Sequence, residues 1–313
     1  MSFQLAYPDI TEERRGNTGT PGVWHFDAGV AGPAVMISAL MHGNELCGAW
    51  ALKALLAAGV RPRRGSLTLV FANLAAFDRF DPTRHDASRF VEEDMNRVWS
   101  TDRLADGSTL ERARGAELQP WVARADWLLD LHSMHEPGVP LCLTGMLPRN
   151  IELARRMATP RHVIVDAGHR DGTRLRDYGQ FGDAQGDARA LLIECGFHGD
   201  PASVDVAHDQ VARFLLAAGS VDPADVPAGW IQAPLGEQRV LQVTDAIVAP
   251  SMQVRFAEPW QGMETFASAG SVIGWADEQP ILTPYDDCTL VMPSLRQLKP
   301  GVTVVRLARD YPG

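Results

Sequence analysis

Lysine is nearly absent from this sequence of 313 residues, since Lys53 and Lys299 are the only two among 29 basic residues. Because almost every positive charge is an arginine, a single arginine gives weak support for a function. The formal net charge of -10 at pH 7 argues against non-specific binding to nucleic acids or acidic membranes. We therefore expect neither nucleic acid nor membrane as a partner, and the sequence leaves open whether the chain forms a homo-oligomer.

Paired cysteines and long apolar runs are also missing. The four cysteines lie far apart and form no Cys-x-x-Cys pair. No apolar run approaches the roughly 18 residues that a membrane-spanning helix needs, and the N-terminus has no basic and apolar leader. These absences predict a cytoplasmic protein with reduced thiols. The hydrophobic content of 45% is that of an ordinary globular protein with an ample core.

Apolar runs alternate with helical patterns over most of the chain, which is typical of an α/β domain. Strands are predicted at residues 23–27, 34–40, 66–73, 127–132, 141–144, 162–165 and 189–196. Helices are predicted at residues 46–58, 109–123, 151–157 and 201–216. The two charged, aperiodic segments 74–107 and 166–186 are predicted to be loops, and long loops in compact domains are commonly functional.

The composition changes at a proline-bearing linker, residues 221–229. Beyond it, short β-type runs at 240–243, 271–275 and 302–307 are separated by turn residues, without a helical pattern. We predict a catalytic domain over residues 1–224 and a small β-rich domain over residues 225–313.

Ligand-type side chains follow two of the predicted strands. His42 and Glu45 lie between a strand and a helix, and their i, i+3 spacing lets both reach one metal ion. Alone, the pair fits a strand-end histidine beside a helix cap equally well. His132 ends another strand, and the carboxyl ends of parallel strands converge in space. Two histidines and one glutamate are a ligand set for catalytic zinc that leaves a fourth position for water. The sequence therefore predicts one Zn²⁺ per chain.

A spare carboxylate and a basic loop complete the candidate site. Glu194 ends the strand at 189–196, where it can take a proton from water and pass it to a leaving amine, or alternatively cap the turn at Gly196. The loop contributes Arg89, Asn96 and Arg97. An arginine beside a metal can stabilise an oxyanion, and another with an asparagine can bind a carboxylate. A solvated surface loop is the alternative.

Together these motifs resemble a known family. The motifs are His42-x-x-Glu45, the run 94–97, the segment 130–132 and the strand that carries Glu194. They are similar to the succinylglutamate desuccinylase/aspartoacylase family of zinc carboxypeptidase-like hydrolases, and residues 281–293 are similar to that family's C-terminal domain. The resemblance implies an α/β fold, a zinc carboxypeptidase-like mixed sheet flanked by helices, with a small C-terminal all-β domain.

The resemblance also implies roles for the candidate residues. His42, Glu45 and His132 bind zinc, Glu194 is the general acid/base, and Arg89 polarises the scissile carbonyl. Asn96 and Arg97 hold a carboxylate of a small-molecule substrate.

The implied reaction is hydrolysis of the amide bond of a small N-acyl amino acid. The alternatives are a metallocarboxypeptidase acting on a peptide or peptide-like amide and a non-catalytic binding protein on the same fold.

Several positions near these motifs stay unassigned at this point. His135 follows His132 with His-x-x-His spacing and is either an alternative ligand or a pocket-wall residue, and His198 either contacts substrate or caps a helix. Asp130 either supports His132 or shapes the pocket. Candidates for the family's further substrate arginine and pocket tyrosine are Arg174, Arg176, Arg189, Tyr178 and Tyr285.

Overall fold

A long mixed sheet forms the centre of the protein in this computed structural model, which describes residues 3–168 and 171–313. Seven of its strands precede the predicted linker: β1 Val23–Asp27, β2 Ala34–Ala39, β3 Ser66–Phe71, β4 Trp127–Met134, β5 Leu141–Leu143, β6 His162–Val165 and β7 Arg189–Phe197. β2 lies between β3 and β4, and β7 pairs with β4 on the other side; these pairings are all parallel. β1 and β5 are antiparallel to their neighbours β3 and β7. The predicted mixed sheet is confirmed.

Six helices flank this sheet in the described part of the chain: α1 Leu46–Ala57, α2 Leu74–Phe77, α3 Thr101–Asp106, α4 Leu110–Val122, α5 Pro148–Met157 and α6 Ala202–Ala218. Successive residues of a strand point to opposite faces. Accordingly, Val35 and Ile37 pack in a core shared with α1, α5 and α6, whereas Met36 packs in a second core with α3 and α4. Helices thus cover both faces of the sheet.

The C-terminal strands extend the same sheet. β8 Arg239–Val248 pairs with β6, and the order continues through β14 Thr303–Asp310, β13 Cys288–Val291 and β10 Thr265–Phe266. A separate three-stranded sheet contains β9 Val254–Phe256, β11 Val272–Ala276 and β12 Gln279–Leu282. The β-rich character is as expected. However, β8 covers the open edge of β6, so one hydrogen-bonded sheet crosses the expected boundary at residues 224 and 225. The division into two domains stays a prediction.

The two segments predicted to be loops contain short helical turns. Residues 74–107 include α2 and α3, whose first turns are capped by the side chains of Asn73 and Ser100. Helices this short display too little periodicity to be recognised in a sequence. Single 3-10 turns also occur within 74–107 and 166–186, at His85–Ser88, Met95–Arg97, Leu175–Asp177 and Gly179–Phe181. Among the described residues, no helix is long and apolar enough to cross a membrane.

Candidate metal centre and active site

Two candidate metal ligands lie at the bend between β2 and α1. His42 follows the strand, and Glu45 is the residue immediately before α1. Gly43 lies between them, where a Cβ atom would come within 2.3 Å of the Ala76 carbonyl carbon. Only glycine therefore fits where this bend packs against α2. His132 lies on the adjacent strand β4, and all three ligand side chains are buried.

His42, Glu45 and His132 form a compact cluster whose ligand atoms lie within 4.8 Å of one another. One oxygen of Glu45 is 2.7 Å from His42 Nδ1, and the other is 2.8 Å from His132 Nδ1. Glu45 thus faces the Nδ1 atoms of both imidazoles, and the three side chains place their ligand atoms in one small region where they could hold a cation.

Each histidine of the cluster is supported by an aspartate on its other nitrogen. His42 Nε2 lies 2.9 Å from Asp94 Oδ1, and His132 Nε2 lies 2.8 Å from Asp130 Oδ2. A carboxylate can only accept, so each aspartate holds a hydrogen on Nε2, and Nδ1, which faces Glu45, is the nitrogen that each ring would offer to a metal. The unassigned Asp130 thus supports His132.

The electrostatics of the cluster favour a cation. Burial alone would raise the pKa of Glu45, but His42 and His132 outweigh it and hold that pKa well below its usual range. Burial would lower the pKa of His132, but Asp130 and Glu45 outweigh it and hold that pKa well above its usual range. Carboxylates thus dominate the potential around the imidazoles, and positive charge is stabilised there.

Glu194 lies beside the centre, directly opposite His132 in the β4–β7 pairing. Its Oε2 is buried and has no hydrogen-bond partner among the described residues. Burial, with a contribution from Glu45, raises the pKa of Glu194 to about 8. A carboxyl group with a pKa near neutrality is suited to both accepting and donating a proton.

Arg89 contacts the centre from the loop. It donates to Asp94 Oδ2 at 2.9 Å and to Glu45 Oε1 at 3.4 Å. Burial alone would lower the pKa of this guanidinium, but Asp94 and Glu45 outweigh it and raise the pKa. Arg89 is thus a fixed cation next to the candidate metal position.

Asn96 and Arg97 occupy the 3-10 turn that follows Asp94. The Asn96 amide oxygen accepts from the Leu175 backbone N–H at 2.9 Å, and its Nδ2 lies 3.3 Å from His132 Nε2. Asn96 is therefore anchored in the protein, and its contact with substrate stays a prediction. Arg97 donates to the Asn96 carbonyl at 2.7 Å and keeps 19% of its side chain exposed.

One cavity of about 820 Å³ unites the candidate site. It is lined by all seven residues that were predicted from the sequence: His42, Glu45, Arg89, Asn96, Arg97, His132 and Glu194. Arg174 and Arg306 also line it. Burial, followed by the nearby cations of Arg174, Arg89 and Arg306, lowers the pKa of Arg97 to about 10. The cavity thus has a strongly cationic wall.

Of the unassigned candidates, Arg174 and His135 are cavity residues. Arg176 is fully buried against Asp166, and Arg189 lies over the Trp127 ring. The Tyr178 and Tyr285 hydroxyls are bonded to Gln119 and Thr244. These four side chains do not line the cavity among the described residues. Arg306 was not predicted from the sequence. It lies on β14, far along the chain from the other cavity arginines, and no spacing of neighbouring residues marks it as a site residue.

Comparisons with known proteins agree with this architecture. The family model described as succinylglutamate desuccinylase/aspartoacylase catalytic domain matches residues 31–182. A succinylglutamate desuccinylase of Burkholderia cenocepacia is 25% identical to this chain, with 88% of this chain and 81% of the relative covered.

Two crystal structures show the same fold. A succinylglutamate desuccinylase/aspartoacylase from Rhodobacter sphaeroides has a TM-score of 0.65 at 18% identity, covering 91% of this chain and 87% of its own. The succinylglutamate desuccinylase from Chromobacterium violaceum has a TM-score of 0.66 at 19% identity. The match covers 94% of this chain and 90% of the Chromobacterium protein.

The fold and the cluster define an α/β protein with a candidate metal centre at the carboxyl ends of its parallel strands. Residues 31–182 are similar to the succinylglutamate desuccinylase/aspartoacylase catalytic domain, so the family resemblance predicted from the sequence motifs is confirmed.

Proposed function

We propose that this protein is a zinc-dependent amidohydrolase that cleaves the amide bond of a small N-acyl amino acid. The observation that carries the proposal is the position of Glu194, a buried carboxyl group with an unpartnered oxygen beside a cluster of His42, Glu45 and His132. The match of residues 31–182 to the family model supports the class of reaction, and similar proteins bear the name succinylglutamate desuccinylase.

The donor set fits zinc. Two imidazoles and one carboxylate are ligands that zinc takes in catalytic sites, and aspartates hold both imidazoles through Nε2 with Nδ1 facing Glu45. A zinc ion bound there would lower the pKa of water and polarise a carbonyl oxygen. One zinc per chain is therefore part of the proposal.

The protein's own residues supply proton transfer and orientation. Glu194 accepts a proton from the attacking water and donates it to the leaving amine, for which its raised pKa is suited. Arg89 directs its guanidinium toward the carbonyl oxygen on which negative charge develops. Arg97 holds a free carboxylate of the substrate, with Asn96 anchoring the turn that carries it.

The size of the cavity favours small substrates over peptides, because about 820 Å³ is within the usual range of small-molecule sites. Met292, Arg296, Lys299 and neighbouring residues between β13 and β14 form part of its wall. A metallocarboxypeptidase would need an open groove for the rest of a peptide chain. A binding protein without catalysis would have no use for an unpartnered buried Glu194. The four cysteines are free and buried, which suits the cytoplasmic location included in this proposal.

A hydrolysis screen tests the proposal. Purified protein is assayed for metal content and then offered N-acetyl, N-formyl and N-succinyl amino acids and short peptides, with and without a chelator. We expect about one zinc per chain, hydrolysis of N-acyl amino acids, loss of activity with chelator and recovery with added zinc. Full activity of a metal-free preparation would refute the mechanism, and preferential cleavage of peptides would favour the carboxypeptidase alternative.

A further inference from the structure

A second set of polar side chains lies on the cavity wall beyond the metal centre. His135 lines the cavity, and its Nδ1 is 3.2 Å from Asp86 Oδ1 and 3.4 Å from His198 Nε2. His198 is completely buried, and its Nδ1 lies 2.7 Å from Ser133 Oγ. None of these groups has a role in the reaction proposed above.

The hydrogen bonds fix how His135 is protonated. Asp86 Oδ1 can only accept, so His135 Nδ1 must carry the hydrogen. His198 Nε2 can then share that hydrogen as an acceptor, while His198 Nδ1 donates to Ser133. Burial lowers the pKa of both histidines, in accord with neutral rings. A neutral His135 with its hydrogen on Nδ1 has a lone pair on Nε2.

This lone pair is available to a ligand. Among the described residues, no side chain or backbone group is hydrogen-bonded to His135 Nε2, and 19% of the side chain is exposed. The arginines of the cavity, such as Arg89 and Arg97, can only donate hydrogen bonds. His135 therefore adds an acceptor to a cavity whose other proposed substrate contacts are mainly donors.

The wall around His135 also contains carboxylates. Asp86 and Glu136 both line the cavity and contact the guanidinium of Arg296 at 3.3–3.4 Å. Asp86 Oδ1 also lies 3.4 Å from His85 Nδ1, and Arg89 is a further cation near His135, so this wall carries charges of both signs. The carboxylate oxygens, like His135 Nε2, can accept a hydrogen bond from a donor on the substrate.

We propose that His135 Nε2 is a specificity-determining acceptor that binds a hydroxyl or ammonium group of the substrate, with Asp86 as the positioning residue that fixes its tautomer. The inference rests on the proposed hydrolysis of N-acyl amino acids and deepens it. The substrate would carry a carboxylate for Arg97 and, away from it, a hydrogen-bond donor for His135.

Matched substrates test this inference. One series varies the side chain among N-acetylnorvaline, N-acetylhomoserine and Nα-acetyl-2,4-diaminobutyrate, whose terminal groups are methyl, hydroxyl and ammonium. The other varies the acyl group among propionyl, glycolyl and glycyl on one amino acid. The measured quantity is the ratio of kcat/KM for a donor compound to kcat/KM for its methyl counterpart. A neutral hydrogen bond predicts a ratio of about five or more in the series that reaches His135.

Variants connect the ratio to the proposed residues. His135→Leu should bring the ratio close to one, while His135→Gln, which keeps an acceptor oxygen, should retain part of it. Asp86→Asn should reduce the ratio because it no longer fixes the hydrogen on Nδ1. Asp81→Asn is the matched control, because it removes a carboxylate that contacts Thr83 and Arg84 and does not line the cavity, and it should keep the wild-type ratio. Thermal unfolding shows that each variant is folded.

The outcomes separate the two proposals. Hydrolysis of both series without a donor preference, or a preference that His135→Leu and His135→Gln leave unchanged, would overturn this inference alone. No hydrolysis of any compound by zinc-loaded protein would refute the proposed function and this inference with it. A preference in one series identifies whether the donor belongs to the amino acid or to the acyl group.

Discussion

Replacing Asp130 by asparagine should weaken metal binding, although none of the three candidate ligands is changed. Asp130 is completely buried, and its Oδ2 lies 2.8 Å from His132 Nε2. Asparagine keeps the shape but loses the negative charge that stabilises the hydrogen on Nε2, and its amide can donate to Nε2 and move the hydrogen to Nδ1. His132 would then have to be reoriented or deprotonated before its Nδ1 could bind a metal.

The expected loss is ten- to a hundredfold in zinc affinity, the usual effect of removing a carboxylate that orients a ligand histidine. This corresponds to about 1.4–2.7 kcal/mol of binding free energy. The measurement is a competition titration of metal-free protein against a chromophoric chelator of known affinity. It reports metal binding directly and needs no substrate.

Asp126→Asn is a matched control for this variant. Asp126 immediately precedes β4, is exposed, and its Oδ2 accepts from the Ala34 backbone N–H at 2.9 Å. The change removes one carboxylate from the same strand region without touching the centre, so zinc affinity should stay at the wild-type value. An affinity of folded Asp130→Asn within threefold of wild type would refute the orienting role of Asp130.

Three further substitutions test other parts of the structure. Glu194→Gln should keep the metal but lower kcat by about a hundredfold or more, because the proton acceptor is gone; an unchanged rate would assign the base elsewhere. Arg97→Ala should lower kcat/KM about ten- to a hundredfold for substrates with a free carboxylate, through KM; an equal effect on neutral amides would contradict the carboxylate-binding role. Asp166→Asn should cost about 3–5 kcal/mol of unfolding free energy at pH 7, since Asp166 lies 3.0 Å from Arg174 and 3.2 Å from Arg176 in a buried site. Folding lowers the pKa of Asp166, so its stabilisation is present above the unfolded-state pKa near 4 and is lost as the pH falls toward the folded-state pKa. The difference between wild type and Asp166→Asn in urea denaturation should therefore shrink below about pH 4; a difference independent of pH would contradict the ionic role.

The sequence was sufficient to predict that the three candidate ligands lie close together. Apolar runs marked β2 and β4 as buried strands, and the side chains at their carboxyl ends meet because parallel strands of one sheet end along the same edge. His42, Glu45 and His132 could therefore be grouped although His132 lies 90 residues after His42. Glu194 followed from the same rule on β7.

Contacts that depend on side-chain packing or on distant antiparallel strands could not be predicted in this way. Arg306 enters the cavity from β14, whose pairing with β8 contains register shifts that a strand pattern does not reveal. The Asp86–His135 contact joins two irregular segments, and no periodicity relates them. The sequence identified His135 only as one of two alternatives, a metal ligand or a wall residue.

The segment 74–107 shows most clearly what a sequence pattern leaves out. Its charged, aperiodic composition predicted a loop, but the part before the Asp94 turn is fixed by one buried carboxylate, that of Glu111 on α4. The backbone N–H groups of three successive residues, 91–93, donate to Glu111 at 2.7–3.3 Å, and Asn73 Nδ2 donates at 3.1 Å. Arg89 and Asp94, which support the candidate metal centre, lie just before and just after residues 91–93. The Glu111 carboxylate therefore fixes the backbone between them. Charge in this segment therefore indicates a rigid support for the site and not a solvated surface.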